Sequence, residues 1–168
     1  KAMPFVKDLI SRFNGTAHIA MFDKGTVVFV LRVSSRDATP IQTYLGSRKP
    51  AYATSSGKVL LANNTIYLKE TIDRGLSNDG PNTITNIERL KKELAEIRKK
   101  GYSISDSENS DGMYGIAAPI LSYSGEIIAA VNLVGSSSYM QGNHRDSMIQ
   151  SVMNTAQSIS KELGYIEV

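Results

Sequence analysis

The sequence predicts an α+β fold in which helices lie on both faces of an antiparallel sheet. β-rich runs occur as two hairpins, one near each end of the chain, and helical patterns lie between and outside them rather than alternating regularly with strands. The chain has 168 residues, 41% of them hydrophobic and 21% charged, which is typical of a globular domain with a sizeable core. We therefore predict a single domain over residues 1–168.

The first part of the chain predicts a helix followed by a hairpin. Pro4 suits the first turn of a helix, and apolar residues follow it at helical spacing. Two β-rich runs, residues 16–22 and 26–33, are joined by the hairpin-type turn Asp23-Lys24-Gly25. The second run is apolar on both alternating faces, which predicts a strand covered on both sides. One face carries Val28 and Val30, and the other carries Val27, Phe29, Leu31 and Val33.

The middle of the chain predicts a short strand at residues 41–45 and then three helices. The first helix begins at residues 54–56, which are natural N-cap types, and the second covers residues 65–74. Thr85 and Glu88 form a capping box at the start of the third. We expect these helices on one face of the sheet, and the first and last helices of the chain packed together on the other.

The last third of the chain predicts a strand, a second hairpin and a closing helix. Turn residues separate the two hairpin strands, and polar loops precede the hairpin and follow it. The predicted strands are residues 102–105, 116–121 and 127–134, the loops are residues 106–114 and 135–143, and the helix is residues 145–163.

Composition argues against most enzyme classes. The chain has no cysteine, so disulfides, thiolate metal sites and cysteine nucleophiles are excluded. We interpret His18 as a satisfied strand histidine and His144 as a surface residue, since metal binding and Ser-His catalysis need convergent partners. The carboxylates at positions 106, 108 and 111 fit a solvated loop, and Gly57-Lys58 does not fit a phosphate-binding loop. We expect no catalytic residue, no metal and no cofactor.

Charge and hydropathy point away from nucleic acid and membrane. The formal net charge is only +3, and glutamates interrupt the densest basic run, residues 89–100, which favours a solvated helix face. No apolar run approaches the ~20 residues of a membrane span, and no signal peptide opens the chain. We expect a cytoplasmic protein, and the start at Lys-Ala-Met-Pro rather than at an initiator Met suggests a fragment.

Two features favour a binding site. A helix that begins near residues 55–57 has unpaired amides at its start, which can bind an anion or simply be capped. Asn132 is a lone amide on an otherwise apolar strand face, so it is either bonded internally or faces a polar cavity. The residues alone leave both alternatives open.

Three blocks of sequence resemble the effector-binding domain of IclR-type bacterial transcription regulators. The family signature has the form Gly-Ser-Arg-x-Pro-x-x-Ala-x-x-x-Gly-Lys-Ala-x-Leu-Ala. The matching blocks are Gly46-Ser-Arg-Lys-Pro-Ala-Tyr-Ala-Thr-Ser-Ser-Gly-Lys-Val-Leu-Leu-Ala62, then Gly112-Met-Tyr-Gly-Ile-Ala-Ala-Pro-Ile120 with Gly125-Glu-Ile-Ile-Ala-Ala-Val-Asn-Leu-Val-Gly135, and Thr155-Ala-Gln-Ser-Ile-Ser-Lys-Glu-Leu-Gly164. Their order and spacing cover nearly the whole chain.

The resemblance implies a GAF-like α+β fold and a role in transcription regulation. In the family this module senses a small organic acid and forms homodimers or homotetramers, and a winged helix-turn-helix domain before it binds DNA. That DNA-binding domain is absent from this chain, so we do not expect the chain to bind operator DNA by itself, nor a membrane.

The resemblance also implies the residues of the effector site. The backbone amides of Ser55, Ser56 and Gly57 would bind the effector's carboxylate. Other residues would surround the rest of the effector. The remaining candidates are Ile41, Ser105, Asp106, Met113, Gly115, Asn132 and Val134. Binding would shift an equilibrium between arrangements of residues 41–50 or of the loop at residues 106–114.

Two departures from the family pattern affect the expected site. Asp106 lies one position after the place where some members have an acidic residue, and one step along a strand reverses the face. Gly115 stands where other members have a side chain, which would enlarge the cavity. A GAF-like enzyme of the methionine-sulfoxide reductase kind would need a redox cysteine, which is lacking. The remaining alternative is an interaction and dimerisation module without a small-molecule ligand.

Overall fold

The computed structural model describes residues 1–38, 40–41 and 43–167. Within them, six strands form one antiparallel sheet, in the order β3-β2-β1-β6-β5-β4. The strands are Thr16–Asp23 (β1), Thr26–Ser34 (β2), Arg48–Pro50 (β3), Ser103–Asp106 (β4), Met113–Leu121 (β5) and Ile127–Ser136 (β6). The helices are Met3–Arg12 (α1), Ser55–Ala62 (α2), Thr65–Arg74 (α3), Ile87–Lys100 (α4), Ser137–Met140 (α5) and Arg145–Glu162 (α6), with a 3₁₀ turn at Ala51–Ala53.

Helices cover both faces of the sheet, as predicted. On one face α1 and α6 pack together over a core that includes Leu9, Val131 and Val152. On the other face α2 and α4 pack over a second core that includes Val59 and Leu94, and α3 packs beside α2. The two cores hold the sheet between apolar layers, which is the α+β arrangement expected from the order of the elements.

A β-bulge in β2 changes which residues share a face. Leu31 pairs with Ile19 and Phe29 pairs with Ala20, so Val30 between them has no partner in β1. A bulge residue interrupts the strict alternation of side chains. Phe29 therefore belongs to the α2/α4 core, whereas Leu31 packs against the α1/α6 core. The prediction that both lie on one face was wrong, and so was the prediction of cover at Val30, which is 49% exposed.

The strand predicted at residues 41–45 is not formed by the described residues of that range. The third strand is instead Arg48–Pro50, which pairs with the start of β2. Residues 40–41 and 43–47, here called the cover segment, are irregular and are attached to β2 where the amide of Gly46 donates to the Phe29 carbonyl, 2.8 Å away. A turn in which Ser47 N–H donates to the Tyr44 carbonyl replaces the extended backbone.

Two further sequence predictions are corrected at the ends of helices. The loop predicted at residues 135–143 contains the short helix α5, which Ser136 caps through a bond from the amide of Tyr139. The capping box of Thr85 and Glu88 is not formed, because the N-cap of α4 is Asn86, whose side chain accepts from the amide of Arg89 at 2.9 Å.

The cap of α4 leads to a testable prediction. Asn86→Ala is expected to lower the free energy of unfolding by about 1 kcal/mol, because it removes the side-chain acceptor of the first turn. Thr85→Ala, one position earlier, is the matched control and should change stability by less than about 0.5 kcal/mol. Urea unfolding measures both. A larger loss from the Thr85 substitution than from the Asn86 substitution would contradict this assignment of the cap.

Candidate functional site

A cavity of about 380 Å³ lies between the sheet and the start of α2. Its size is within the range of small-molecule sites in proteins. Strands β1, β2, β5 and β6 form its floor, and the cover segment, the end of β4 and the loop at residues 107–112 surround it. The cavity therefore adjoins the N-terminal end of α2.

Most residues that the sequence singled out lie on the wall of this cavity. Those that line it are Ile41, Ser55, Ser105, Met113, Gly115, Asn132 and Val134. The structure does not place Ser56, Gly57 or Asp106 on the wall. Ser56 and Gly57 are buried within the first turn of α2. Asp106 lies on the opposite side of β4 from Ser105.

The first two amides of α2 have no acceptor among the described residues, and one of them belongs to the wall residue Ser55. Thr54 is the N-cap; its hydroxyl accepts from the amide of Gly57 at 3.0 Å and its carbonyl accepts from the amide of Lys58. The amides of Ser55 and Ser56 occupy the first two helical positions, which have no intrahelical partner, and the described residues offer them no acceptor. The expectation of a free amide is thus corrected at Gly57, where the N-cap side chain already uses it.

Two glycines permit close packing at this helix start. A Cβ on Gly57 would lie 2.0 Å from the Ala51 carbonyl oxygen, so the backbones meet directly. A Cβ on Gly115 would lie 2.7 Å from the Ser55 hydroxyl. Gly115 therefore provides room for Ser55 rather than simply enlarging the cavity, as the sequence had suggested.

Asp106 takes part in a different set of contacts. Its carboxylate accepts from the hydroxyl of Ser137 at 3.0 Å and from the side-chain amide of Gln141 at 3.1 Å. Both partners lie at α5, on the outer side of β4. The alternation of side chains along a strand explains why Ser105 faces the cavity and Asp106 does not.

His18 is a wall residue that the sequence interpretation left out. It is 1% exposed and pairs directly across the sheet with Asn132. The Asn132 Oδ1 atom accepts from the His18 backbone amide at 3.0 Å and lies 2.9 Å from His18 Nδ1. Both interpretations of the lone Asn132 amide hold, because Asn132 is bonded internally and lines the cavity. Antiparallel pairing of two polar residues inside the apolar runs of β1 and β6 was the signal available in the sequence.

The hydrogen bonds of His18 define its tautomer. A backbone amide is a fixed donor, so the side-chain atom of Asn132 that faces it is the oxygen. The Nδ1 atom of His18 must then carry the proton, which leaves Nε2 with a lone pair. The Thr43 hydroxyl, 2.8 Å from Nε2, donates to that lone pair, and Thr43 in turn accepts from Arg32 Nε at 3.1 Å.

Burial keeps His18 neutral. Loss of solvation lowers the pKa of His18 to about 4, a hydrogen bond to Asn132 opposes this shift, and the nearby charge of Arg32 adds to it. The imidazole also stacks on Phe29, with ring centroids 4.2 Å apart. Near neutral pH the wall therefore presents an uncharged imidazole acceptor, and the adjacent Lys49 contributes a cationic side chain to the same cavity.

The buried side chain of Lys58 contacts several of the segments that surround the cavity. Its ammonium group is fully buried and contacts Glu93 Oε2 at 2.5 Å, the Ile104 carbonyl at 2.6 Å and Glu108 Oε2 at 2.7 Å. Glu108 is only 6% exposed, so the prediction of a solvated carboxylate loop was wrong at that position. Burial raises the pKa of Glu108, and the Lys58 charge opposes that rise. These contacts join α2, α4, β4 and the loop at residues 107–112.

The fold and the cavity define the chain as an α+β domain with a small site of mixed polar and apolar lining at a helix start. Among the described residues no group of three or more His, Asp or Glu side chains could hold a metal ion. None of the helices described is long and apolar enough to cross a membrane.

Comparison with known proteins gives the family. A model of the C-terminal domain of the bacterial transcriptional regulator IclR matches residues 1–161. The chain belongs to the IclR family of bacterial transcriptional regulators and corresponds to their effector-binding domain. It is 28% identical over 166 residues to the HTH-type transcriptional regulator RhmR of Escherichia coli K12. That match covers 98% of this chain and 64% of RhmR, so the chain spans less than two thirds of that relative.

Solved structures agree with this assignment. IclR of Thermotoga maritima is 31% identical, with a TM-score of 0.89 over 98% of this chain and 67% of that protein. The inducer-binding domain of a PobR double mutant from Acinetobacter, in complex with 3-hydroxybenzoic acid, is 30% identical, with a TM-score of 0.84 over 95% of both chains. These relatives are transcription regulators and inducer-binding domains rather than enzymes.

Proposed function

We propose that the cavity binds a small organic acid and that the domain couples this binding to transcription. The observation that carries the proposal is the cavity at the start of α2, which has Ser55 on its wall; the amide of this residue has no acceptor among the described residues. A helix start stabilises a carboxylate through its unpaired N–H groups and through the helix dipole. Lys49 adds a positive charge to the same wall, and the relative crystallised with 3-hydroxybenzoic acid supports this class of ligand.

Neutral groups would orient the remainder of the acid. Asn132 and Ser105 offer polar contacts on the sheet side of the cavity, while Ile41 and Met113 are apolar. Both the cover segment and the loop at residues 107–112 contribute residues to the wall, so a ligand can favour one arrangement of these segments over another. Differential affinity of this kind is what allows a ligand to shift an equilibrium.

The anchoring role of the helix start can be tested with two substitutions at one position. Ser55→Pro removes the amide proton at the first helical position, where proline is tolerated, and the extended backbone of Thr54, at φ −128° and ψ 151°, suits a residue before proline. Ser55→Ala keeps the amide and removes only the hydroxyl. Calorimetry with 3-hydroxybenzoate should show at least a roughly tenfold loss for the proline variant, as expected for a bond to a charged group.

The alanine variant is the control and should lose less than about threefold, since only a neutral contact is removed. Circular dichroism establishes that both variants retain the helices. Equal affinities for the proline variant and the parent chain would contradict anchoring at this amide.

The wider role follows from the family. We propose that the acid modulates DNA binding by a preceding helix-turn-helix domain and that the protein works in the cytoplasm as a homodimer or homotetramer, since symmetric regulators match palindromic operators. Native mass spectrometry measures the assembly. A module without a ligand would have side chains filling the cavity, and an open volume of about 380 Å³ favours sensing instead.

A further inference from the structure

We propose that the site selects acids that carry a hydroxyl group, and that this hydroxyl replaces Thr43 as the hydrogen-bond donor to His18. The inference rests on the proposed function, because it concerns the part of the same ligand that lies away from its carboxylate. The exchange takes place at the Nε2 atom of His18, whose lone pair the Thr43 hydroxyl approaches to 2.8 Å.

The neutral imidazole of His18 has a single acceptor site. A neutral imidazole has one donor nitrogen and one acceptor nitrogen, and the acceptor has a single lone pair. Asn132 occupies the donor side of His18, as shown by its contact of 2.9 Å with Nδ1. Thr43 and a ligand hydroxyl therefore compete for the same position on the cavity wall.

The His18 ring cannot rotate freely, and its Nε2 atom is not easily protonated. Rotation of the ring would break the bond to Asn132 and the stacking on Phe29. Protonation at Nε2 is opposed by burial and by the nearby charge of Arg32. A ligand with only acceptor or apolar atoms at this end would leave the lone pair unpaired or leave Thr43 in place, whereas a hydroxyl satisfies it.

Replacement of Thr43 has a structural consequence. Thr43 belongs to the cover segment, and its hydroxyl bonds that segment to His18 and to Arg32, whose Nη2 atom also donates to the Ile41 carbonyl at 3.4 Å. When the ligand takes over the lone pair, the bond from Thr43 to His18 is lost, while the Arg32 contacts and the backbone attachment of Gly46 to Phe29 remain. A hydroxylated acid thus changes the cover segment, and an acid without the hydroxyl does not.

Matched acids test the selection. Calorimetry near neutral pH would compare D-gluconate with hexanoate and 3-hydroxybenzoate with benzoate, each pair sharing a carboxylate and a carbon skeleton. We expect the hydroxylated member of at least one pair to bind about 3-fold more tightly, at the lower end of the effect of one neutral hydrogen bond, because the bond from Thr43 is given up in exchange.

Thr43→Val tests the competition, because valine keeps the shape of threonine and cannot donate. This variant should bind the preferred hydroxylated acid about 3–10-fold more tightly than the parent chain does, since no internal donor has to be displaced. Its affinity for the matched acid without a hydroxyl should stay unchanged. His18→Phe, which retains an aromatic ring against Phe29, should abolish the preference for the hydroxylated member.

The outcomes separate this inference from the proposed function. Equal affinities within both pairs, or weaker binding of the hydroxylated acid by Thr43→Val, would overturn the inference and leave carboxylate binding intact. Failure of all four acids to bind the parent chain would overturn both. Because Thr43 is only partly buried, the valine variant provides a readout even if the His18 variant does not fold.

Discussion

Replacing Lys58 with methionine is expected to lower the free energy of unfolding by about 3–5 kcal/mol, the typical cost of removing one partner from a buried ion pair. Methionine fills a similar volume, so the loss is electrostatic rather than a packing defect. It leaves the buried carboxylate of Glu108, which has a second oxygen without a hydrogen-bond partner among the described residues, without a cation. A domain of this size has about 5–15 kcal/mol of stability in total, so the effect should be large in urea unfolding.

Two further variants show that burial causes this loss. Lys69 pairs with Asp73 at 2.8 Å, nearly the separation of Lys58 from Glu108, but its side chain is 79% exposed. Lys69→Met should therefore leave stability unchanged within error, as is usual for surface pairs. Adding Glu108→Gln to the Lys58 variant should restore part of the loss, because it removes the unpaired charge. Similar losses from the Lys58 and Lys69 substitutions would refute the buried-pair explanation.

The second large effect is a loss of stability in mild acid caused by His18. Near neutral pH the imidazole is uncharged in both the folded and the unfolded chain. As the pH falls below the ordinary value of 6.5, the unfolded chain gains a proton on this residue, while the folded chain gains it only near its lowered pKa of about 4. Between these values the unfolded state binds more protons, so stability falls with falling pH, by a total of about 3 kcal/mol.

A difference measurement isolates this contribution from the other titrating groups. Urea unfolding of the parent chain and of His18→Gln would be compared from about pH 7 down to about pH 4, where the linkage acts. The stability of the parent chain relative to the variant should decline by the stated amount. His144→Gln is the control, since His144 is exposed, and its curve should run parallel to that of the parent chain. Parallel curves for the His18 variant as well would show that burial does not depress its pKa.

Much of the fold could be predicted because local signals and tertiary structure agree. Turn residues such as Asp23-Lys24-Gly25 lie between β-rich runs, and they form the hairpin of β1 and β2. Thr54 has the chemistry of an N-cap and caps α2. The lone Asn132 indicated either an internal hydrogen bond or a polar cavity, because an amide on an apolar strand needs a partner.

Other features depend on contacts that no local pattern encodes. The unpaired Val30 shifts the faces of β2, and only the pairing with β1 reveals it. Strand β3 has three residues and forms because the start of β2 offers it an edge, whereas Ile41 and Thr43 of the predicted strand line the cavity instead. Lysine is normally a surface residue. The available signal for Lys58 was the apolar run that follows it, since a helix that is apolar all round is buried.

The complete burial of α2 has a consequence for how the domain transmits information. All eight of its residues, Ser55–Ala62, are buried, so the helix has no solvent face along which it could slide or rotate, and any displacement would disturb close-packed neighbours. We expect α2 to stay stationary when the acid enters. We then expect motion in the cover segment and in the loop at residues 107–112, and in the cover segment Tyr44 is 71% exposed and Leu45 is 68% exposed. A shift of the cover segment would therefore alter the apolar surface that these two side chains present to solvent.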